Sequence, residues 1–345
     1  MAAGTARVGE RGSEGLRARW HGVYRRAAAA GRAAFYRGQY RKLTDTRDHR
    51  AYVGRWVCLY GALAVFLPIG SLARPPRQMS AVPGLMRIIP STHHPILFFG
   101  EYHGSNQSPA FFGDAVTTVS EFRPVLVILE QNQSEARLVS NYVSGRLSMA
   151  GVVSSGEWLW ASRDPQHRED GRHSIAMVKL LYLLRQLRQS GRVIRIGGTN
   201  ADKLPAHVHY NAEMAENIRR LSKGFAGVTM VYTGTAHARM QGRQAANLLP
   251  SRRTVSITTV PAGRTVVNSL WVCRIKKGAI FCGPHEFRHE HLEPPAKYCG
   301  PMGIHRSSAR RIKKTGFDAY ACVGEPITES PPATLANEPA WRRWN

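Results

Sequence analysis

The amino-acid sequence predicts an α/β protein with a largely parallel or mixed central sheet and helices on both faces. Its 345 residues, 43% of them hydrophobic, are enough for a substantial core in one large domain or two small ones. Between residues 95 and 260, short apolar runs alternate with longer segments of helical periodicity. This alternation, in the order β-α-β-α-α-β-α-β-α-β, is typical of a parallel sheet with helices packed against it.

The predicted strands are the short apolar runs. They cover residues 95–99, 125–129, 193–196, 228–233 and 255–260. Runs of this kind indicate strands that are buried between two layers of helices. From residue 265 onwards strand and loop dominate, and Lys276, Lys277 and Gly278 have the composition of a hairpin turn.

The predicted helices are marked by capping residues. Ser108 is a good N-cap with Pro109 behind it, and the start of this helix would favour an anion near the end of the first strand. Ser174 begins another helix, which Gly191 ends. The predicted helices cover residues 108–122, a segment from 134 onwards, 174–190, 211–223 and 239–248.

The composition of the N-terminal part of the chain predicts a tail and a targeting or anchoring segment in place of a folded domain. Residues 1–52 are rich in Ala, Arg and Gly, which indicates a disordered basic tail. Residues 56–73 are uncharged, so residues 53–78 predict either a signal peptide or a single membrane anchor. Because a signal peptide normally begins close to its apolar core, we expect translation to start at Val53. The protein would then be exported, either to the periplasm or anchored in the membrane through residues 56–73 if these are not cleaved.

The rest of the chain predicts one main domain. We assign the α/β domain to residues 79–333, with a cysteine-containing strand and loop region at 265–325, and a tail to residues 334–345. The net charge of +25 would attract nucleic acid or an anionic membrane without specifying either. Since the chain has no nucleic-acid-binding motif, we do not expect nucleic acid as a partner.

Four cysteines follow the apolar segment. An even number in an exported chain favours two disulfides, and the hairpin spacing pairs Cys273 with Cys282 and leaves Cys299 for Cys322. The alternative is a zinc site, although its spacing matches no standard zinc pattern. That site would use Cys282, His285, His289, His291 and Cys299.

Two turns that follow predicted strands share a Gly-x-x-His pattern. The first runs from Gly100 to His103 and the second from Gly234 to His237. Glycine at the start of each turn would allow the chain to bend sharply and bring the next side chains back over the sheet.

Four acidic and histidine side chains lie at the ends of predicted strands. They are Glu101, His103, Glu130 and His237. Because parallel strands present their carboxyl ends at one edge of a sheet, where ligands bind, we expect all four to converge in one cleft. A carboxylate and an imidazole two residues apart can share a metal or act as an acid–base pair.

Six segments, in order, resemble one protein superfamily. They are residues 97–104, 127–130, 170–177, 211–218, 233–238 and 330–333. The superfamily joins the erythromycin esterase-like proteins, the ChaN-like haem-uptake proteins, and the TraB and Tiki proteins. The resemblance implies a mixed α/β fold and a site at Glu101, His103, Glu130 and His237. Because members have been described as esterases, metal-dependent proteases and haem binders, the resemblance does not fix the reaction.

One position departs from the pattern of this superfamily. Relatives often carry Arg where this chain has Tyr210, immediately before the helix that begins at Asn211. If that Arg binds an anionic group of the substrate, this protein has lost it or replaced it.

The four side chains are consistent with functions of different classes. In a hydrolase of esters or peptides, Glu101, His103 and His237 would hold a divalent metal with its water, or His103 would act as a general base. In a periplasmic haem-binding or ligand-binding uptake protein without catalysis, Tyr102 or Tyr210 would be an axial ligand. In a secreted effector, the basic surface would bind acidic partners. We favour the hydrolase.

Overall fold

The apolar runs form the central sheet in a computed structural model of the chain. The structure describes residues 81–155, 158, 171–200, 209–261, 268–276, 279–287, 299, 302–324, 326–334 and 338–344, with only the backbone at 273–276, 279–280 and 287. The predicted tail at 1–52 and the predicted signal or anchor at 53–78 lie outside these residues. Within the described ranges, no helix is long and apolar enough to span a membrane.

The elements follow the predicted alternation. The strands are β1 (Ile96–Glu101), β2 (Val125–Asn132), β3 (Ile194–Asn200), β4 (Val228–Gly234), β5 (Thr254–Val260), β6 (Asn268–Lys276), β7 (Ala279–Phe287), β8 (Gly303–Arg306) and β9 (Ala319–Cys322). The α-helices are α1 (Leu85–Ile88), α2 (Gln107–Ser120), α3 (Gln133–Val143), α4 (Met149–Ser154), α5 (Ile175–Gln189), α6 (Tyr210–Ser222), α7 (Ala309–Thr315) and α8 (Glu338–Trp341).

Seven strands make one sheet in the order β3-β2-β4-β1-β5-β9-β8. All neighbours run parallel except β8, which pairs antiparallel with β9 at one edge. The predicted fold class is therefore confirmed. Since β2, β4 and β1 are adjacent, their carboxyl ends lie side by side, and Glu101 stands directly opposite Gly234 in the register.

Helices cover both faces of the sheet because the inner strands are apolar on both. Leu97 and Phe99 of β1 pack in one core cluster with α2, α3 and α5. Ile96 and Phe98, which point the other way, pack in a second cluster with α6. Burying one such side chain contributes roughly 1.5–3 kcal/mol, so β1 anchors both layers.

A side-chain cap marks the start of α5 but not that of α2. The Ser174 side chain accepts a hydrogen bond from the Met177 N–H at 3.4 Å, as predicted for the start of α5. The predicted N-cap of α2, Ser108, lies two residues after the observed N-cap, Asn106. This helix begins at Gln107, and the Asn106 side chain donates instead to the Glu329 carbonyl at 2.7 Å. The C-terminal part of the chain therefore covers the start of α2, where we expected an anion.

The predicted helix over residues 239–248 is wrong. Gly242 has a φ of 60°, in the left-handed region, which interrupts a right-handed helix. Only a 3₁₀ turn, Ala246–Leu248, forms there. The Ala246 N–H donates to the His237 carbonyl at 3.1 Å, so the loop folds back on the turn that carries the histidine.

The cysteine region contains the predicted hairpin. Strands β6 and β7 pair antiparallel and place Cys273 directly opposite Cys282, although the Cys273 side chain lies outside the described part. The predicted Cys299–Cys322 disulfide is confirmed, with an S–S distance of 2.08 Å. The zinc alternative is wrong, because it needs Cys299 as a free thiolate.

The C-terminal residues are not a free tail. Trp341 is fully buried in the core cluster shared with α2, α3 and α5, and the Tyr142 hydroxyl donates to the Trp344 carbonyl at 2.7 Å. The domain therefore extends past residue 333. Aromatic side chains, which bury large apolar areas, fasten this end of the chain to the core.

Candidate functional site

Glu101 fixes the orientation of His103. Glu101 ends β1 and its side chain is buried, while His103 lies two residues on and is 23% exposed. The His103 Nδ1–H donates to one Glu101 oxygen at 2.7 Å. The Tyr232 hydroxyl donates to the other oxygen. Because both oxygens of Glu101 are engaged, this carboxylate orients the imidazole and leaves Nε2 directed away from it.

Glu130 is the centre of the site. Its carboxylate lies near the end of β2, and one oxygen accepts the Gly234 N–H at 2.7 Å and faces His103 Nε2 at 3.5 Å. The other oxygen is 3.2 Å from Arg172 Nη1 and 3.7 Å from His237 Nε2. Burial alone would raise the pKa of Glu130, but His103, Arg172 and His237 outweigh it and hold the pKa well below its usual range.

His237 has an amide as its partner instead of a carboxylate. Its Nδ1 lies 2.7 Å from the Asn211 Oδ1, and the Asn211 amide in turn donates to Gln244 at 3.0 Å. This chain of bonds assigns the proton to Nδ1 and the lone pair to Nε2, which faces Glu130.

The two histidines differ in charge at neutral pH. Burial disfavours the imidazolium of His103, but Glu101 and Glu130 prevail and raise its pKa well above 6.5. Burial lowers the pKa of His237, and the charges of His103 and Arg172 lower it further against the opposing effect of Glu130. With these shifts, His103 can donate a proton and His237 can accept one, and Glu130 lies between them.

Tyr210 completes the ring of contacts around Glu130. Its hydroxyl is 3.3 Å from a Glu130 oxygen and accepts the Asn200 amide N–H at 2.7 Å, and its ring lies 5.2 Å from that of His237. Burial, together with the Glu130 charge, raises the pKa of Tyr210, so the phenol keeps its proton and can donate to Glu130.

Glycines let the backbone approach the site closely. A Cβ on Gly234 would lie 2.9 Å from His103 Nε2, so this position has no room for a side chain. The sharp turns expected at Gly100 and Gly234 do not occur there: both residues lie inside strands, where their value is close packing. The left-handed residue of the first turn is Gly104, with a φ of 77°.

The C-terminal segment 327–333 fastens the site loops together. The Gly104 carbonyl accepts N–H groups from Ser330 at 2.7 Å and Trp271 at 3.0 Å. The Ala333 N–H donates to the His173 carbonyl at 2.8 Å. This segment thus links the loop after β1 to the loop that carries Arg172.

The predicted convergence of the four side chains is confirmed, whereas their chemical roles stay predictions. Sequence reasoning missed four further residues of the site: Arg172, Asn211, Tyr232 and, as a partner of Glu130, Tyr210. Signals for two of them existed, since Arg172 and Asn211 lie in segments that resemble the superfamily. Tyr232 gave none, because an aromatic residue in an apolar run reads as core.

The site as arranged does not fit the predicted metal. Among the described residues, no group of three or more His, Cys, Asp or Glu side chains is arranged to hold a metal ion. The reason is local. His103 Nδ1 and both Glu101 oxygens are used in hydrogen bonds, and Glu130 already faces the Arg172 cation. We therefore assign no step to a metal.

Comparisons with known proteins find distant structural likenesses. No protein-family model matches the chain, and no curated protein matches it. A solved protein of Bacillus cereus covers 70% of this chain and 91% of its own, at 10% identity and a TM-score of 0.47. The match to an erythromycin esterase mutant in its open conformation covers 70% of this chain and 92% of that one, at 10% identity and a TM-score of 0.47. The match to a succinoglycan biosynthesis protein covers 69% of this chain and 89% of that one, at 9% identity and a TM-score of 0.43. At these values the likenesses assign neither substrate nor reaction to this chain.

Proposed function

We propose that the protein is a hydrolase of esters or amides in which His237 is the general base and His103 the general acid. One observation carries the proposal: two histidines face the same buried carboxylate, and their surroundings shift their pKa values in opposite directions. Two titratable groups that are separated in this way are suited to the two proton transfers of hydrolysis.

The exposure of the side chains fits these roles. His103 and His237 are 23% and 20% exposed, whereas Glu101 and Glu130 are 4% and 6% exposed. Substrate and water can therefore reach the imidazoles, while the carboxylates lie behind them. The buried carboxylates are not positioned to act as nucleophiles, which favours attack by water.

The reaction follows from the proton positions. His237 Nε2 removes a proton from a water molecule, whose oxygen attacks the carbonyl carbon of the substrate. The proton on His103 Nε2 passes to the leaving oxygen or nitrogen as the carbonyl carbon–heteroatom bond breaks. Glu130 offsets the charge that His237 gains, because its oxygen lies 3.7 Å from the Nε2 that takes up the proton.

Paired variants of the full chain test this function. We would measure kcat/KM on a panel of p-nitrophenyl esters, anilides and short peptides. His237→Gln and His103→Gln should each lower kcat/KM by about 10²–10⁴-fold, the usual contribution of a general base or acid. His93→Gln, the same change at an exposed histidine, should leave it unchanged. Cleavage of no substrate by the wild type, or equal rates for all variants, would overturn the proposal.

The haem-carrier alternative gains no support from Tyr210. Its hydroxyl is engaged with Asn200 and Glu130, and burial raises its pKa, which disfavours the phenolate that an axial ligand requires. A Soret band after haem titration would revive this alternative. Export and membrane contact through residues 56–73 remain predictions.

A further inference from the structure

A second acid–histidine pair lies beneath the site. Glu135, in the first turn of α3, contacts His173 with 2.6 Å between Oε1 and Nε2. Their side chains are 0% and 5% exposed, so this pair has no access to a substrate in solution. The Trp158 ring meets the His173 ring edge-on, with the centroids 5.0 Å apart.

Burial of this pair is energetically unfavourable. Within the described residues, the second oxygen of Glu135 and Nδ1 of His173 are buried without a hydrogen-bond partner. A buried polar pair with unmet bonding capacity is less favourable than well-packed apolar side chains of the same volume. The pair therefore calls for an explanation other than stability.

The neighbours of His173 supply that explanation. Arg172, the preceding residue, contacts Glu130. Gly171, with a φ of 92°, packs so closely on the Gly104 backbone that a Cβ would come within 2.0 Å of the Gly104 nitrogen. The backbone on the other side is held by the Ala333 N–H on the His173 carbonyl. The side chain of His173 is a further anchor of this short loop, beside the bridge between Ser174 and Pro332, and Glu135 holds it.

We propose that Glu135 and His173 form a positioning pair that holds the Arg172 guanidinium against Glu130. Neither residue touches the substrate. They act through the loop 171–173, which is packed against Gly104 at one end and hydrogen-bonded to Ala333 at the other. Because the loop is this short and tightly held, a displaced His173 ring would shift Arg172, the residue before it. The consequence for catalysis rests on the proposed function; the consequence for the position of Arg172 does not.

The test has a spectroscopic arm and a kinetic arm, both on the full chain. Protein labelled with ¹⁵N-arginine is compared as wild type and as Glu135→Gln, with Arg172→Gln used to assign the Arg172 Nε–Hε signal. The wild type should give a sharp, slowly exchanging signal that Glu135→Gln broadens or shifts. Glu121→Gln, the same change at an exposed site, should leave it intact.

The kinetic arm is a double-mutant cycle. Glu135→Gln should lower kcat about 10- to 100-fold with little change in KM, as loss of a group behind an active side chain does. Combined with Arg172→Gln, it should cost no more than Arg172→Gln alone, because both changes remove the same contact. Additive losses, or an Arg172 signal that Glu135→Gln does not alter, would overturn the proposal.

A second variant keeps the proposal falsifiable if Glu135→Gln fails to fold. Glu135→Leu combined with His173→Phe replaces the pair by apolar groups of similar volume. A folded double variant that loses the Arg172 signal supports positioning, and one that keeps both signal and activity contradicts it. If the wild type cleaves no substrate but the signal still depends on Glu135, the pair positions Arg172 and the hydrolase proposal alone fails.

Discussion

The two Gly-x-x-His turns have the same spacing and opposite chemistry. After β1, the imidazole of His103 donates to the carboxylate of Glu101, which keeps it protonated. After β4, the imidazole of His237 contacts the amide of Asn211, which provides no charge to hold a proton. Both rings face Glu130, which lies on β2, the other neighbour of β4. Burial lowers the pKa of both imidazoles; Glu101 and Glu130 together overcome it at His103, whereas Glu130 alone does not at His237, so the shared turn does not set the charge of the histidine.

The most damaging change should be the one that removes the carboxylate common to both histidines. Glu130→Gln leaves the Arg172 guanidinium partly buried beside a neutral amide, and we expect a loss of about 3 kcal/mol in the free energy of unfolding. kcat/KM should fall with it, because His237 would lose the carboxylate that offsets the charge it gains, and His103 would lose one of its two carboxylate partners. Urea unfolding and kinetics on the same preparation measure the two effects. Glu121→Gln is the matched control. An unchanged unfolding midpoint in Glu130→Gln would show that Glu130 does not stabilise this region.

A smaller change should disturb only the His103 half. In Gly234→Ala the new methyl group would meet His103 Nε2 at 2.9 Å and push the ring from its place. We expect about a 10²-fold loss in kcat/KM, the size associated with displacing a reacting group by about 1 Å. Gly283→Ala, where a Cβ meets nothing within 4 Å, is the control. Full activity in Gly234→Ala would mean that His103 Nε2 takes no part in the reaction.

Exchanging the partners should move the two limbs of the pH profile in opposite directions. Activity needs neutral His237, so it rises as the pH increases through the low pKa of His237. Activity also needs protonated His103, so it falls as the pH passes the high pKa of His103. Asn211→Asp should raise the pKa of His237 and shift the acid limb up by about one pH unit.

Glu101→Gln should lower the pKa of His103 and shift the alkaline limb down, with the acid limb unmoved. The logarithm of kcat/KM, measured between pH 4 and pH 10 in buffers of constant ionic strength (a range of roughly three units on either side of neutral), reports both limbs. If both variants moved the same limb, the assignment of acid and base would be wrong.

The smallest effect is expected on removal of metal. Dialysis against a chelator should leave kcat/KM unchanged, because the histidine and carboxylate atoms already bind one another. Added Zn²⁺ should inhibit, since the lone pair on Nε2 of neutral His237 can bind a metal ion in place of the proton. Activity that chelation abolishes and Zn²⁺ restores would replace the acid–base scheme by a metal-assisted one.

The sequence predicted the parts of the site that depend on local pattern. Apolar runs gave the strands, and the position of Glu101, His103, Glu130 and His237 just at or beyond strand ends gave their convergence. Glu130 and Arg172 are 42 residues apart along the chain, and their contact depends on how loops cross the sheet edge. No periodicity carries that information.

Protonation states were beyond the sequence for the same reason. The partner of His103 is two residues away, but the partner of His237 is Asn211, 26 residues earlier. Helix propensity failed at residues 239–248 because the tight loop around Gly242 is held by tertiary contacts, among them the Met240 N–H on the Gly316 carbonyl at 2.7 Å. The same loop donates the Ala246 N–H to the His237 carbonyl, so its irregular conformation helps to hold the turn that carries this histidine.

The two hydrogen bonds to the Gly104 carbonyl bear on the order in which the site can form during synthesis. The N–H groups that donate to it come from Trp271 and Ser330, which are both synthesised after strands β1 to β5. Strand β9, which pairs with β5, is also synthesised after it. A ribosome-bound chain that has exposed β1 to β5 already holds both Gly-x-x-His turns, yet lacks the segment that joins the Gly104 loop to the Arg172 loop. The Gly104 loop and the loop that carries Arg172 can therefore be joined only after residues 330–333 have been synthesised.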